Sequence, residues 1–256
     1  MKTIGFIGGG RITRIFLDGW TRANSLPDHI VVSDCNPEVL AGLKARFPTV
    51  ETVASSNPAA AQDIVFLAVH PPVMAEVATG IKDSLKADAL VVSLAPKFTF
   101  AKLSELLGGF ARLARVIPNA PSLVGAGFNP VAFAAGLSGE DRKHITDLLA
   151  LLGNFRDVAE EKLEAYAVLT AMGPTYLWFQ LQTLRELAAT FGLEPAEIDS
   201  ALMHMVCGAA QTLLESGLSP AEVIDLIPVT PLAAMEPQVT ETYRTCLPAI
   251  YQKIKP

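Results

Sequence analysis

In its first half the chain alternates short apolar runs with longer amphipathic ones. The apolar runs are Ile4–Ile7, Ile30–Ser33, Ile64–Val69, Ala89–Ser93 and Leu113–Ile117, with Val131–Ala134 a further candidate. Continuous apolar runs of this length, without alternation, predict strands covered on both faces. Between them, helical periodicity covers Ile12–Arg22, Pro37–Arg46, Val73–Leu85 and Lys102–Leu107, and Asn57-Pro58 starts a short helix. Pro37 suits the first turn of its helix. A helix over Gly139–Leu152 leads to a last short strand, Asn154–Val158. Strands and helices in alternation predict an α/β fold with a mostly parallel sheet.

Beyond residue 160 the pattern changes, and no convincing strand follows. Glu160–Phe191 reads as a long helix with a break at Gly173-Pro174, and Pro195–Ser216 as a second helix with Glu194 and Glu197 at its N-terminus. Ser219-Pro220-Ala221-Glu222 has the spacing of a capping box at the start of a third. The tail from Pro231 to Ile254 is helical in pattern, with interruptions expected at Pro237 and Pro248. Two domains are therefore predicted, an α/β domain over residues 1–160 and an all-α domain over 161–256.

The first strand runs straight into Gly8-Gly9-Gly10-Arg11-Ile12-Thr13. Strand, glycine turn and helix, with Gly8-x-Gly10-x-x-Thr13 at the turn, form the arrangement that lays a dinucleotide pyrophosphate on a helix N-terminus. Gly8 permits the turn. Gly10 has no side chain to keep the phosphate from the backbone donors at Arg11 and Ile12. Thr13 is larger than the residue usual there. Asp34 ends the second strand 21 residues beyond Thr13, where a ribose-binding carboxylate belongs. Arg11 and Arg14 sit in the first helical turn as partners for phosphate, or Arg14 is a solvated charge. Asp34 favours NAD over NADP, although Asn36 and Ser33 leave room for a 2′-phosphate.

Composition narrows the field further. The 256 residues suffice for one large domain or two ordinary ones. Half are hydrophobic and only 18% charged, which suits a large core or a subunit interface. A net charge of −6 offers no basic surface for nucleic acid. Cys35, Cys207 and Cys246 are too few and too scattered for a disulfide framework or metal site, and a reducing cytoplasm is the simplest setting. The apolar N-terminus is a strand rather than a signal peptide. Val116–Gly139 is uncharged but holds three prolines, and Ala165–Leu184 is interrupted by Gly173-Pro174. Neither predicts a membrane span; the second suits a helix buried between subunits.

Taken in order, several segments resemble pyrroline-5-carboxylate reductases over nearly the whole chain. They include Ile4–Gly10, Val32–Glu38, and Leu67-Ala68-Val69-His70-Pro71-Pro72, which is similar to the family's "LAVKPQ". Arg115-Val116-Ile117-Pro118-Asn119-Ala120-Pro121 opens the most specific match, to "RVMPNTPALVGEG". Leu169–Tyr176 resembles "LSGSGPAY", and Ala209–Gly217 resembles "GAAKLLLESG". The resemblance implies a Rossmann-type domain, a C-terminal helical domain through which dimers form and assemble further, and reduction of a small cyclic imine with NADPH or NADH. It also implies that Ala68, Val69, His70, Pro71 and Ala95 lie along the cofactor.

The departures fall on the substrate half. The family's "AAGI" becomes Leu94-Ala95-Pro96-Lys97-Phe98, where Lys97 replaces a small residue. Its "TSPGGTT", whose hydroxyls and backbone donors hold a substrate carboxylate, becomes Ile227-Pro228-Val229-Thr230-Pro231-Leu232-Ala233-Ala234. These losses predict a weakened hold on a ring carboxylate, with Thr230, Lys97 or Asn119 left to compensate.

Hydride transfer to an imine needs orientation and electrostatics more than acid–base groups. Asn119, just past a strand end, offers an amide to nicotinamide or substrate; alternatively Pro118 and Pro121 only shape a loop. Thr170 and Thr175 flank the Gly173-Pro174 break, where backbone groups are exposed to a ligand. Thr230 is the hydroxyl remaining in the altered motif. Three readings stand: a pyrroline-5-carboxylate reductase; an oxidoreductase on another imine, a ketone or a deazaflavin; and a dinucleotide-binding protein without catalysis.

Overall fold

The computed structural model describes residues 2–256. The elements run β1 (Ile4–Ile7), α1 (Arg11–Arg22), β2 (Ile30–Ser33), α2 (Pro37–Arg46), β3 (Glu51–Val53), α3 (Ser56–Ala60), β4 (Ile64–Leu67), α4 (Pro71–Ile81) and β5 (Leu90–Ser93). Next come α5 (Phe100–Leu106), β6 (Leu113–Val116), β7 (Gly127–Phe133), α6 (Gly139–Ala150), β8 (Gly153–Asp157) and α7 (Leu163–Tyr166). A π-helical turn, Ala167–Ala171, precedes α8 (Pro174–Thr190), α9 (Pro195–Glu215), α10 (Pro220–Asp225) and α11 (Glu236–Ile254).

The strands make one sheet in the order β3-β2-β1-β4-β5-β6-β7-β8. Every neighbouring pair is parallel except β6 with β7. The fold is thus α/β with a Rossmann-type, mostly parallel sheet and a helical C-terminal region. The strand order reverses between β1 and β4, which opens a crevice beyond the carboxyl ends of those strands.

Both faces of the sheet are filled, as its apolar strands require. On one face Phe6, Phe16, Trp20 and Phe66 form an aromatic cluster, with Phe6 and Phe66 stacked at 4.7 Å. Trp20 is fully buried and its indole N–H donates to the Leu148 carbonyl at 3.0 Å, so the polar tip is satisfied inside the core. On the other face Val65, Leu67 and Val91 of the sheet pack with Ala59 and Ala60 of α3, Met74 of α4 and Leu103 of α5.

Several elements differ from the sequence expectation. β3 is an additional edge strand, short and partly exposed. β7 starts at Gly127 and runs through Pro130, well before Val131. Ala68 and Val69 lie beyond the end of β4, and α4 begins at Pro71 rather than Val73. The tail is not interrupted: Pro237 sits in the first turn of α11 and Pro248 lies within it. A missing N–H is harmless in a first turn, which explains Pro237.

Internal contacts divide the chain into two units, one running to Met172 and including Ile250–Pro256, the other Gly173–Ala249. The composition changes near residue 160, whereas the contacts divide at the Gly173-Pro174 break. In between, Leu163 and Ala167 are buried with Ile117 and Ala132 of the first unit. Among the described residues, no helix is long and apolar enough to cross a membrane.

Candidate active site

The glycine turn after β1 is shaped from both sides. Gly8 adopts φ +102°, and a Cβ there would lie 2.6 Å from the Ala68 carbonyl oxygen, so the turn itself requires glycine. The Thr13 hydroxyl donates to the Gly8 carbonyl at 2.6 Å, which gives this larger residue a structural place. The Asp34 carboxylate accepts the Gly9 N–H through one oxygen and the Asn36 N–H through the other, each at 2.8 Å. It thereby holds the turn after β1 and the turn after β2 together at the mouth of the crevice.

Gly10 is different. Its φ of −69° suits any residue, and a Cβ built there meets no protein atom within 4 Å. The fold does not need glycine at this position. Open space for a backbone approach does, and this is what a bound pyrophosphate demands. Gly10 caps α1 without a side-chain hydrogen bond, and no acidic residue occupies the first turn. The N–H groups there, with Arg11 and Arg14 beside them, present positive charge to an anion. These residues fit a dinucleotide.

A cleft of about 420 Å³ runs from this turn across the switch point. It is lined by Gly8, Gly10, Arg11, Ile12, Asp34, Ala68, Val69, His70, Pro71 and Ala95. Asn36 lies just outside, its side-chain oxygen accepting the Glu38 N–H at 2.9 Å as the cap of α2. Ser33 is buried against the Phe6 carbonyl, so no 2′-phosphate can reach its hydroxyl. His70 precedes α4 at the exposed rim.

The residues expected at the substrate fall in two places. Asn119 and Thr170 come together in the first unit, where the Asn119 amide donates to the Thr170 carbonyl at 3.2 Å. The Asn119 side-chain oxygen accepts the Phe128 N–H at 3.1 Å, so this buried side chain ties three segments. The Thr170 hydroxyl donates back to the Tyr166 carbonyl. Thr175 and Thr230 belong to the second unit. Thr175 lines a mostly apolar cavity of about 470 Å³ with Tyr176, Phe179, Val239 and Tyr243. Burial there, and then the neighbouring Tyr243, push the Tyr176 hydroxyl above its usual range. Thr230 is exposed in the loop between α10 and α11.

One group of charged residues escaped the sequence reading. Arg115, on β6, is 1% exposed and donates to Glu164 at 2.5 Å and to Glu160 at 3.0 Å. The two carboxylates also receive backbone N–H groups, Lys97 on Glu164 at 3.1 Å and Phe100 on Glu160 at 2.6 Å. One buried arginine therefore fixes the turn that follows β5. The available signals were a lone arginine inside an apolar strand and two glutamates four residues apart at a helix start.

A pyrroline-5-carboxylate reductase of Corynebacterium melassecola is 31% identical over 226 residues, 87% of this chain and 84% of that one. The chain belongs to the pyrroline-5-carboxylate reductase family. The Escherichia coli pyrroline-5-carboxylate reductase is 30% identical over a similar span. The model of the family described as NADP oxidoreductase, coenzyme F420-dependent, matches residues 3–97, the segment that carries the glycine turn and ends at Lys97. Among solved structures, a pyrroline-5-carboxylate reductase from Coxiella burnetii superposes with a TM-score of 0.73 at 27% identity, covering 99% of this chain and 97% of that one. A Plasmodium falciparum pyrroline carboxylate reductase with NADP bound shares the fold, with a TM-score of 0.83 at 21% identity and coverage of 99% and 97%. Membership in this family makes the chain an NAD(P)-dependent oxidoreductase.

Proposed function

We propose that the chain reduces a cyclic imine bearing a carboxylate, with pyrroline-5-carboxylate the type substrate and NADH or NADPH the reductant. The observation that carries the reading is Gly10, which leaves the N-terminus of α1 open onto a cleft at the sheet's switch point. The relatives named for this activity align across both halves of the chain, which supports the choice of substrate.

In this reading the N–H groups at Arg11 and Ile12 hold the pyrophosphate, with Arg11 and Arg14 balancing its charge. Asp34 receives the ribose hydroxyls, and its charge favours NADH. Ala68, Val69, His70, Pro71 and Ala95 wall the path toward the reacting end. When bound, the nicotinamide supplies the hydride. A protonated imine already carries the positive charge that activates its carbon, so the chain's task is to orient the ring and exclude water. Asn119 serves by fixing the loop after β6, with Thr170 held to it. Thr175 and Thr230 remain substrate-side candidates on the helical half.

Residues 1–160 form the dinucleotide domain in this proposal, and 161–256 the substrate and dimerisation domain. The chain works as a homodimer through its C-terminal helices. It belongs in a reducing compartment, the cytoplasm, because its three cysteines are exposed and unpaired. Steady-state kinetics with pyrroline-5-carboxylate, beside a panel of cyclic imines and ketones and with each cofactor, tests the reading. Turnover of pyrroline-5-carboxylate is expected. Cofactor binding without turnover of any panel member would overturn it in favour of a non-catalytic dinucleotide-binding protein.

A further inference from the structure

Lys97 is held in a backbone conformation that lysine disfavours. Its φ is 77°, and among the described residues the only other non-glycine with positive φ is Asn24. Asparagine tolerates that region through its short polar side chain; lysine gains nothing from it. The conformation is imposed rather than incidental. Glu164 accepts the Lys97 N–H, Glu160 accepts the Phe100 N–H, and buried Arg115 clamps both carboxylates. Thr99 caps α5 from within the same turn, its hydroxyl accepting the Lys102 N–H at 3.2 Å.

This turn follows directly on residues that line the cofactor cleft, since Leu94, Ala95 and Pro96 form part of its wall. Lys97 itself is exposed, and among the described residues its ammonium has no ion pair or hydrogen bond. A strained backbone position, one residue beyond the cleft wall at Pro96, therefore carries an unpartnered cation, and such strain persists where the surroundings over-determine it.

We propose that Lys97 is a specificity-determining residue whose ammonium binds the carboxylate of the substrate. This rests on the reading of the cleft as a carboxylated-imine reductase. The group acts as a mobile point charge on a flexible stem, attracted to a carboxylate and not to a protonated imine.

The test uses full-length Lys97→Met, Lys97→Gly and Lys97→Arg variants with two substrates, pyrroline-5-carboxylate and 1-pyrroline, the same ring without the carboxylate. Lys97→Met and Lys97→Gly should each lose about tenfold or more in kcat/KM on the carboxylated ring relative to the neutral one, mainly through KM. Lys97→Arg should keep most of the discrimination. Equal losses on both substrates, or a weakened cofactor Kd accounting for the loss, would overturn the assignment, as would full retention by Lys97→Gly. Titration of L-proline into the NAD-loaded protein provides a readout independent of turnover. If neither imine is reduced, the reductase reading fails, while a proline Kd raised about tenfold by Lys97→Met still supports the carboxylate site. A proline Kd that Lys97→Met leaves unaltered sinks it.

Discussion

Gly8 and Gly10 stand two residues apart and are glycines for different reasons. Gly8 is demanded by its own backbone and by the Ala68 carbonyl; Gly10 is demanded by nothing in the protein. Gly10→Ala should therefore leave Tm within about 2 °C of the parent, a surface-scale effect. The dissociation constants of NADH and NADPH should rise by at least about tenfold, because in the proposed binding mode the added methyl stands where the pyrophosphate approaches. Thermal unfolding and cofactor titration check the two halves, and a large loss of Tm would return Gly10 to the fold. Asp63 shows a purely structural charge by contrast. The Lys86 ammonium at 2.6 Å and then the Thr3 N–H at 2.8 Å hold its carboxyl down at about 2. Because the folded value lies below the ordinary 3.8, the stabilisation is complete above pH 4 and is lost as pH falls toward 2. With Lys86 partly in solvent, the contribution is on the order of 1 kcal/mol. Asp63→Asn should lower stability at pH 7 by that amount and flatten the acid limb between pH 4 and 2; an unchanged acid limb would contradict the assignment.

Among the elements, β6 and the turn after β5 are joined by the Arg115 network, and the network can be tested as a unit. Glu164 and Arg115 are 2% and 1% exposed, and with Glu164 neutralised Arg115 keeps only the Glu160 carboxylate, at 3.0 Å. Glu164→Gln should cost about 1–3 kcal/mol, which lowers Tm by on the order of 5 °C. Arg115→Met combined with Glu164→Gln should recover part of that loss, since a buried pair replaced by apolar volume need not be destabilising. Calorimetry of both variants measures it, and additive losses would mean the residues act separately. The network also marks the limit of what the sequence discloses. Strands such as β1, β4 and β5 are legible because burial on both faces demands unbroken apolar runs. β3 is not, because Glu51-Thr52-Val53 is an edge strand with little to bury. β7 is half hidden by Asn129-Pro130, which reads as a turn until the antiparallel neighbour is known. The glycine turn at one end of the cleft was legible because local backbone geometry dictates its residues. The far end was not: Glu164 meets Arg115 across 49 positions of chain, and nothing local announces that Lys97 takes a left-handed backbone.

The whole molecule is uneven. In the first unit the central strands β1, β2, β4, β5 and β6 are fully buried, while in the second, among the described residues, Ile198 is the one hydrophobic side chain that is buried. Trp178, Phe179, Phe191 and Leu214 are 52%, 67%, 77% and 79% exposed. A folded monomer seldom leaves so much apolar surface to water, and helices with apolar residues on more than one face gain stability only by packing against others. A second copy of the same helices is the simplest cover, because a two-fold interface is self-complementary. Light scattering should give twice the chain mass at micromolar concentration, and Tm should rise with protein concentration as mass action requires. Leu214→Glu supplies the sharper test. At a site this exposed in the single chain, the substitution should cost a monomer less than about 0.5 kcal/mol. In a dimer that buries Leu214 it strands a charge, so the variant should dissociate and unfold at lower temperature. A stable monomeric parent, or a Leu214→Glu variant with undiminished mass and Tm, would place the dimer interface elsewhere or remove it.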